Sequence, residues 1–413
     1  MKLLWLCNIL PGEVKEKVTG KPGSGLWMDH VLSDLRKIPD MTIRILAPNA
    51  AEVEGVLEES CSFAAFQTKL PYEYLPELEQ WFRKELKRYQ PDVIHIWGTE
   101  YAHTLAMINA AEQEGLLDHT AVSIQGLCSV YAGHYAEGVP VHVVYGATFR
   151  DLIRRDNIRR QQEKFARRGM LEGKALEKTR HVIGRTAWDK ACMEQAAPDA
   201  EYHFCNETLR QTFYHQNWQY HECKKHRIFA SSCVYPVKGF HYLVEAFAEV
   251  VKRYPDATLA VPGGNFLKTN PLHQDSYHKY LAERIRRHGL TDKIYFLGKL
   301  SADGMKQAYL EANVFAMPST IENSPNSLGE AMLLGVPCVA ADVGGVTTML
   351  THETEGFVYQ STAPYMLAHY ICQVFAMEDA AVSLGQAARA HALRTHDPEQ
   401  NLRDLINIYK TLA

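Results

Sequence analysis

Short apolar runs alternate with longer amphipathic segments along the whole chain, and this rhythm restricts the fold more than any other feature. In the first half the apolar runs cover 2–7, 42–47, 92–98, 121–126, 181–186 and 202–205; in the second half they cover 227–232, 258–263, 293–298, 314–318 and 337–342. Segments of helical periodicity lie between them, among them 26–37, 78–89, 241–253, 277–288 and 302–312. Strands that stay apolar without alternating are buried on both faces, and strand–helix alternation puts them in parallel sheets covered by helices. These eleven runs exceed one comfortable open sheet. The polar stretch 214–225, YHQNWQYHECKK, separates the two series. The fold class expected is therefore α/β, with two doubly wound Rossmann-like domains facing across a cleft, 1–213 and 214–396. A helical segment follows at 397–413. Ligands of such sheets bind beyond the carboxyl ends of the strands.

The 413 residues suit two or three domains. With 46% hydrophobic and 22% charged residues the profile is that of a globular protein, and a net charge of -4 gives no global signal for nucleic acid. Nine cysteines, at 7, 61, 128, 192, 205, 223, 233, 338 and 372, show no CxxC spacing. They read as buried thiols of a reduced, cytoplasmic protein, with neither a disulfide framework nor a cysteine zinc site. The opening MKLLWLCNILPGE is too short and too interrupted for a signal peptide and reads as a first buried strand. No run of about 18 apolar residues is long enough to cross a membrane.

Residues 318–335, PSTIENSPNSLGEAMLLG, place two acids eight positions apart around a helix start. Ser324 is expected as the N-cap and Pro325 as the first helical residue, with the helix ending at Gly335. Free N–H groups and the helix dipole make such a start an anion site. Glu322 lies on the incoming loop and Glu330 about 8 Å up the axis, at 1.5 Å per residue. The pattern suits a ligand with an anion in the middle and hydroxyls at both ends, as in a nucleotide-sugar; the alternative is two unrelated surface glutamates. Lys238, on the loop after the first strand of the second half, can neutralise phosphate or be an ordinary surface lysine. Gly23, Ser24 and Gly25, after the first strand, let backbone N–H groups approach a phosphate or form a plain turn. Gly344 and Gly345 follow the strand after the Glu330 helix.

These segments together resemble the family-four retaining glycosyltransferases, the glycosyl transferases group 1 of GT-B fold. The likeness is carried by VKGFHYLVEAF (237–247), the long segment 294–345 and EGFVY (355–359), and more loosely by GSGLWMDHVLSDL (23–35), PDVIHIWG (91–98) and VIGRTAWDKA (182–191). The resemblance implies a metal-independent hexosyltransferase-type enzyme that moves a sugar from a UDP- or GDP-sugar to a saccharide or lipid-linked acceptor, in cell-surface polysaccharide or glycoconjugate synthesis. The nucleotide-sugar is substrate, and no cofactor is implied. Glu330 would bind ribose and Glu322 would lie by the donor sugar. Asn323, Ser324, Asn326, Ser327 and Leu328 would offer groups to sugar and phosphate. Lys238 would sit on the diphosphate with Gly23, Ser24 and Gly25 nearby, and the base would pack near Gly298 and Leu300. Glu322 and Lys238 are the residues expected to be catalytic, and the helix at 397–413 would cross back to the first domain.

Two positions depart from the family pattern. Its Gly-Arg pair is replaced by Ser232-Cys233, which removes a cation from the leaving phosphate. Arg185 is a candidate substitute, or else a surface arginine. Gln125 stands where the family often has a histidine, and glutamine cannot titrate. His95 and Trp97 replace a common His-x-His and read as core. Residues 150–168, RDLIRRDNIRRQQEKFARR, hold eight basic and three acidic side chains. They form either a peripheral contact with the inner membrane surface or a solvated helix with internal ion pairs. Two other functions stay open: a sugar-nucleotide epimerase or hydrolase of the same fold, and a non-catalytic nucleotide-sugar-binding subunit.

Overall fold

The computed structural model describes residues 1–21, 23, 27–68 and 70–413. Their compact packing divides the chain into two units: Met1–Ala132 with Lys164–Arg210 and His396–Ala413, and Gly133–Glu163 with Gln211–Thr395.

The first unit is built on an eight-stranded sheet. Its strands are β1 (Lys2–Cys7), β2 (Thr42–Asn49), β3 (Val53–Glu58), β4 (Cys61–Gln67), β5 (Val93–Trp97), β6 (Thr120–Ser123), β7 (His181–Gly184) and β8 (Glu201–Phe204), in the order β3-β4-β2-β1-β5-β6-β7-β8. All neighbours are parallel except the β3–β4 hairpin. β5 is buried along its whole length, as a strand covered on both faces must be. β3 and β4 were not expected. β3, VEGVLE, alternates half-buried and exposed positions at a sheet edge, so its apolar signal is too thin to stand out. His95 and Trp97 are core residues: the imidazole bonds Ser123 Oγ and Tyr409 Oη at 2.7 Å each, and Trp97 packs edge-on against Trp5. Tyr409 belongs to the last helix, Pro398–Leu412, which lies in this unit.

The second unit has a six-stranded parallel sheet: β9 (Arg227–Phe229), β10 (Thr258–Val261), β11 (Ile294–Phe296), β12 (Val314–Met317), β13 (Cys338–Asp342) and β14 (Phe357–Gln360), ordered β11-β10-β9-β12-β13-β14. The chain winds outward from β9 to β11, returns to lay β12 beside β9, and winds out the other way. The crevice outside the ends of β9 and β12 is thus the topological switch point, where doubly wound sheets bind ligands.

The segment 133–163 departs from the expected boundary. It belongs to the second unit. Its anchors are long-range polar bonds that local sequence does not announce. Asp151 is buried; it closes a capping box with Thr148 and also accepts from Ser276 N, 2.9 Å away, at the start of helix Ser276–Arg287. Thr148 Oγ1 donates to the Gln274 carbonyl, and the Glu137 carbonyl meets His241 Nε2.

Candidate active site

Two loops meet at the switch point of the second unit, 230–239 after β9 and 318–325 after β12. The first closes with a turn, Pro236–Lys238, capped by Gly239 at φ 65°. A Cβ on Gly239 would stand 1.7 Å from the Pro318 carbonyl oxygen, so only glycine allows the two loops to touch. Thr320 N donates to the Val237 carbonyl at 2.9 Å and its hydroxyl to the His134 carbonyl at 2.9 Å. On the other flank, Gly345 N donates to the Glu322 carbonyl at 3.1 Å, and a Cβ on Gly344 would fall 1.9 Å from that oxygen. The two glycine positions therefore clamp the backbone that carries Glu322.

Clamped in this way, Glu322 is buried, and its Oε1 accepts from Lys238 Nζ at 2.6 Å and from Ser319 Oγ at 2.8 Å. Lys238 keeps about a third of its side chain exposed, 36%. Two residues expected to act separately form one ion pair. Lys238 is the only basic side chain in the two loops, and Glu322 already holds it.

The following helix runs Asn326–Leu333. Its cap is Pro325, not Ser324, and carries no side-chain hydrogen bond. Ser324 Oγ instead faces Met349 Sδ at 3.5 Å. A proline offers no side-chain oxygen to the first N–H groups, which leaves this start suited to an external anion. Ser324, Asn326 and Ser327 are half-buried, whereas Asn323, Leu328 and Glu330 are buried. Glu330 sits in the second turn, and Gly335 closes the turn after the helix at φ 72°.

Gly298, at φ 70°, pairs through its backbone with Gly263, with bonds of 2.8 and 3.1 Å, which ties the ends of β10 and β11 together. Leu300 is half-buried nearby in sequence. The Ser232 hydroxyl accepts from Val234 N at 3.4 Å, and Cys233 is buried beside the Pro262 carbonyl, its thiol pushed up to about 12 by burial. The position of the missing arginine thus points into protein.

In the first unit, Arg185 and Gln125 do come together, but around Glu207. Arg185 Nη1 and Gln125 Nε2 both donate to Glu207 Oε1, at 2.7 and 2.6 Å, and Arg185 Nη2 donates to Gln125 Oε1 at 3.2 Å. Arg185 is buried and its charge is met by Glu207. Glu207 had no motif to reveal it. Gly23 is half-buried against Gly12, whose carbonyl a Cβ would approach to 2.3 Å; Ser24 and Gly25 lie outside the described residues.

The first unit has its own switch point, between β1 and β5. There Asn8 Nδ2 donates to Glu100 Oε2 at 2.5 Å, and His103 Nε2 meets Asn8 Oδ1 at 2.8 Å. Burial, with the Glu172 carboxylate adding to it, pushes Glu100 up to about 7. Neither Asn8 nor Glu100 was expected, because single polar residues at strand ends carry no pattern.

Residues 216–391 match the family described as glycosyl transferases group 1. That segment, less than half of the chain, is similar to the group 1 glycosyl transferases. A D-inositol 3-phosphate glycosyltransferase of Corynebacterium urealyticum is 27% identical over 181 residues, 43% of this chain and 41% of that protein. A GDP-mannose-dependent alpha-(1-6)-phosphatidylinositol monomannoside mannosyltransferase of Mycobacterium tuberculosis is 27% identical over 161 residues, 37% of this chain and 39% of the other. The chain therefore spans about two fifths of the length of the curated relatives it matches. Among solved structures, sucrose-phosphate synthase from Thermosynechococcus elongatus superposes with TM-score 0.72 at 16% identity, covering 100% of this chain and 99% of that one. Anabaena Alr3699/HepE, solved with UDP-glucose, gives 0.66 at 18% identity with 99% of each chain covered. The fold is GT-B.

Proposed function

We propose that the chain is a retaining glycosyltransferase that moves a hexosyl group from a UDP- or GDP-sugar to a saccharide or lipid-linked acceptor, without a metal. The observation that carries this reading is the Lys238–Glu322 pair, clamped at the switch point next to a proline-capped helix start. The nucleotide-sugar named with the Anabaena relative and the GDP-mannose named with the mycobacterial one agree in chemical class.

Breaking the anomeric bond builds positive charge on the sugar and negative charge on the departing diphosphate. Lys238 and the backbone amides of Asn323, Ser324, Asn326 and Ser327 stabilise the second charge as it grows. Glu322 accepts hydrogen bonds from sugar hydroxyls and keeps the lysine in place. Glu330 takes the ribose hydroxyls, and the base rests near Gly298 and Leu300. No two carboxylates of this site are paired as in a glycosidase, so the leaving phosphate takes the acceptor proton from the same face. A non-catalytic, donor-binding subunit is the second reading. It is favoured by the buried Cys233 and by the neutralised Arg185.

The acceptor side of the proposal includes an anionic membrane surface. No helix among the described residues is long and apolar enough to cross a membrane. Yet Val141, Tyr145, Phe149, Leu152 and Ile153 are each 60–73% exposed within thirteen residues. Phe149, Leu152 and Ile153 share a helix face, and Arg154, Arg155 and Arg160 nearby pair with no acid among the described residues. The apolar contact centres on 141–155, N-terminal to much of the basic stretch 150–168, whose Arg159 is taken by Glu163 at 3.0 Å. Exposed apolar side chains ringed by cations suit the headgroup boundary of anionic lipid.

The test is a thermal-shift screen with nucleotides and nucleotide-sugars, followed by transfer and hydrolysis assays with each donor that binds. Stabilisation by a nucleoside diphosphate and its sugar, with turnover only when acceptor is added, supports transfer. Binding without turnover supports the second reading; turnover without acceptor supports a hydrolase or epimerase.

A further inference from the structure

A cluster outside the donor site sits on the two outermost strands of the first unit. β7 and β8 run parallel, with His181 opposite Glu201 and Ile183 opposite His203. Residues in register share a face, and residues two apart on a strand share a face. The sequence E-x-H on β8 and the first residue of β7 therefore bring one carboxylate and two imidazoles to the same patch.

His181 Nδ1 and His203 Nε2 lie 3.1 Å apart, and Glu201 Oε2 is 3.8 Å from His181 Nδ1. Ligand atoms from all three residues fall within 4.8 Å of one another. Two nitrogens held at 2.0–2.1 Å by one tetrahedral ion stand roughly 3.3 Å apart, so the imidazoles are already near the required spacing. Glu201 must close by about half an ångström on His181 Nδ1 and must also turn toward His203 Nε2, and its side chain is 62% exposed. The imidazoles are far less exposed, at 16% and 9%.

We propose that His181, Glu201 and His203 form a binding site for a divalent transition ion of the zinc class. Two imidazoles with one carboxylate select zinc, copper or nickel over magnesium and calcium, which prefer all-oxygen sites. The site has only three protein ligands, and water completes the coordination.

The position assigns the ion a structural part. His181 and Glu201 open their strands, whereas Arg185 and Glu207 follow the opposite ends of the same strands. The ion would pin the short edge strand β8 to β7, and the continuation of β8 carries Glu207 to Arg185 and Gln125. The site is independent of the transfer reading and takes no part in the proposed chemistry.

The full-length protein, stripped with a chelator, is titrated with zinc chloride against a competing chromophoric chelator. Cobalt(II) serves as the spectroscopic probe of the same site. The wild type should bind one equivalent of zinc that Glu201→Gln weakens about tenfold and His203→Gln abolishes, with loss of the cobalt absorption of a nitrogen-ligated site. Each metal-bound form should also melt at higher temperature than its stripped form. Zinc affinity unchanged in both variants, or no stoichiometric zinc in the wild type, overturns the proposal. If His203→Gln does not fold, the exposed Glu201→Gln decides the matter alone.

Discussion

Replacing Glu322 by glutamine should strengthen the binding of free nucleoside diphosphate while abolishing most transfer. The reason lies in the 2.6 Å contact between Glu322 and Lys238. In the unliganded protein the carboxylate holds the lysine that the phosphates need, and a diphosphate must share or displace that bond. The pair lies between two regimes: a fully buried partner costs about 3–5 kcal/mol to lose, a surface pair about 0.2–1. With Lys238 36% exposed, the competition is about 1 kcal/mol. Relieving it corresponds to about fivefold tighter UDP or GDP. Glutamine keeps the shape and can still meet Ser319, so the loop should stay in place. Transfer should nevertheless fall by about a hundredfold or more, because the donor sugar loses its strongest acceptor of hydroxyl hydrogen bonds. Calorimetric titration of UDP and GDP, beside initial rates with the active donor, separates the two effects. Weaker diphosphate binding in Glu322→Gln, or undiminished transfer, would refute the reasoning.

Other changes follow from the same geometry. Lys238→Met should cut turnover by about 10² to 10³ with a smaller loss of diphosphate affinity, read from the same titration and rates. Glu330→Ala should weaken nucleotide binding about tenfold, with no effect on inorganic pyrophosphate as competitor. Gly239→Ala introduces a left-handed residue whose Cβ would stand 1.7 Å from the Pro318 carbonyl oxygen and should lower stability by about 2–4 kcal/mol, seen as a lowered melting temperature. The Glu100 carboxyl is raised from 4.5 to about 7, so the folded state binds its proton more tightly than the unfolded state does. That contribution to stability is complete below about pH 4.5 and is lost as pH rises through 7. Glu100→Gln should therefore be more stable than wild type at pH 8, and the difference should shrink as pH falls and vanish below about pH 4.5. Arginine-to-glutamine changes at Arg154 and Arg155 together should lower binding to anionic vesicles and leave binding to zwitterionic ones unchanged.

Much of the architecture was legible because parallel strands covered by helices must be apolar throughout. β1, Lys2–Cys7, is such a run, and its ends follow from the residues alone. β3 escaped because an edge strand needs only one buried face; β4, CSFAAFQ, is an inner strand buried through Phe63–Phe66 and was missed although its run is apolar. The segment 133–163 escaped because its allegiance rests on single bonds to residues more than a hundred positions away, such as Asp151 to Ser276. At the candidate site, Glu322, Lys238 and the helix start were visible as a spaced pattern. Their direct ion pair was not, since it depends on Gly239 and Gly344 pressing two loops together. Arg185 shows the converse: a basic residue at a strand end looks available until Glu207, 22 positions on, takes it. Pro325 displaced Ser324 as the cap because its carbonyl accepts the first helical N–H bonds, from Leu328 and Gly329.

Amide hydrogen exchange with and without saturating UDP or GDP tests the core of the account most directly. Slowed exchange confined to the amides of Asn323, Ser324, Asn326 and Ser327 is the expected result, since those are the amides assigned to the diphosphate. A nucleotide that binds and stabilises the protein while leaving those amides exchanging at their free rates would contradict it.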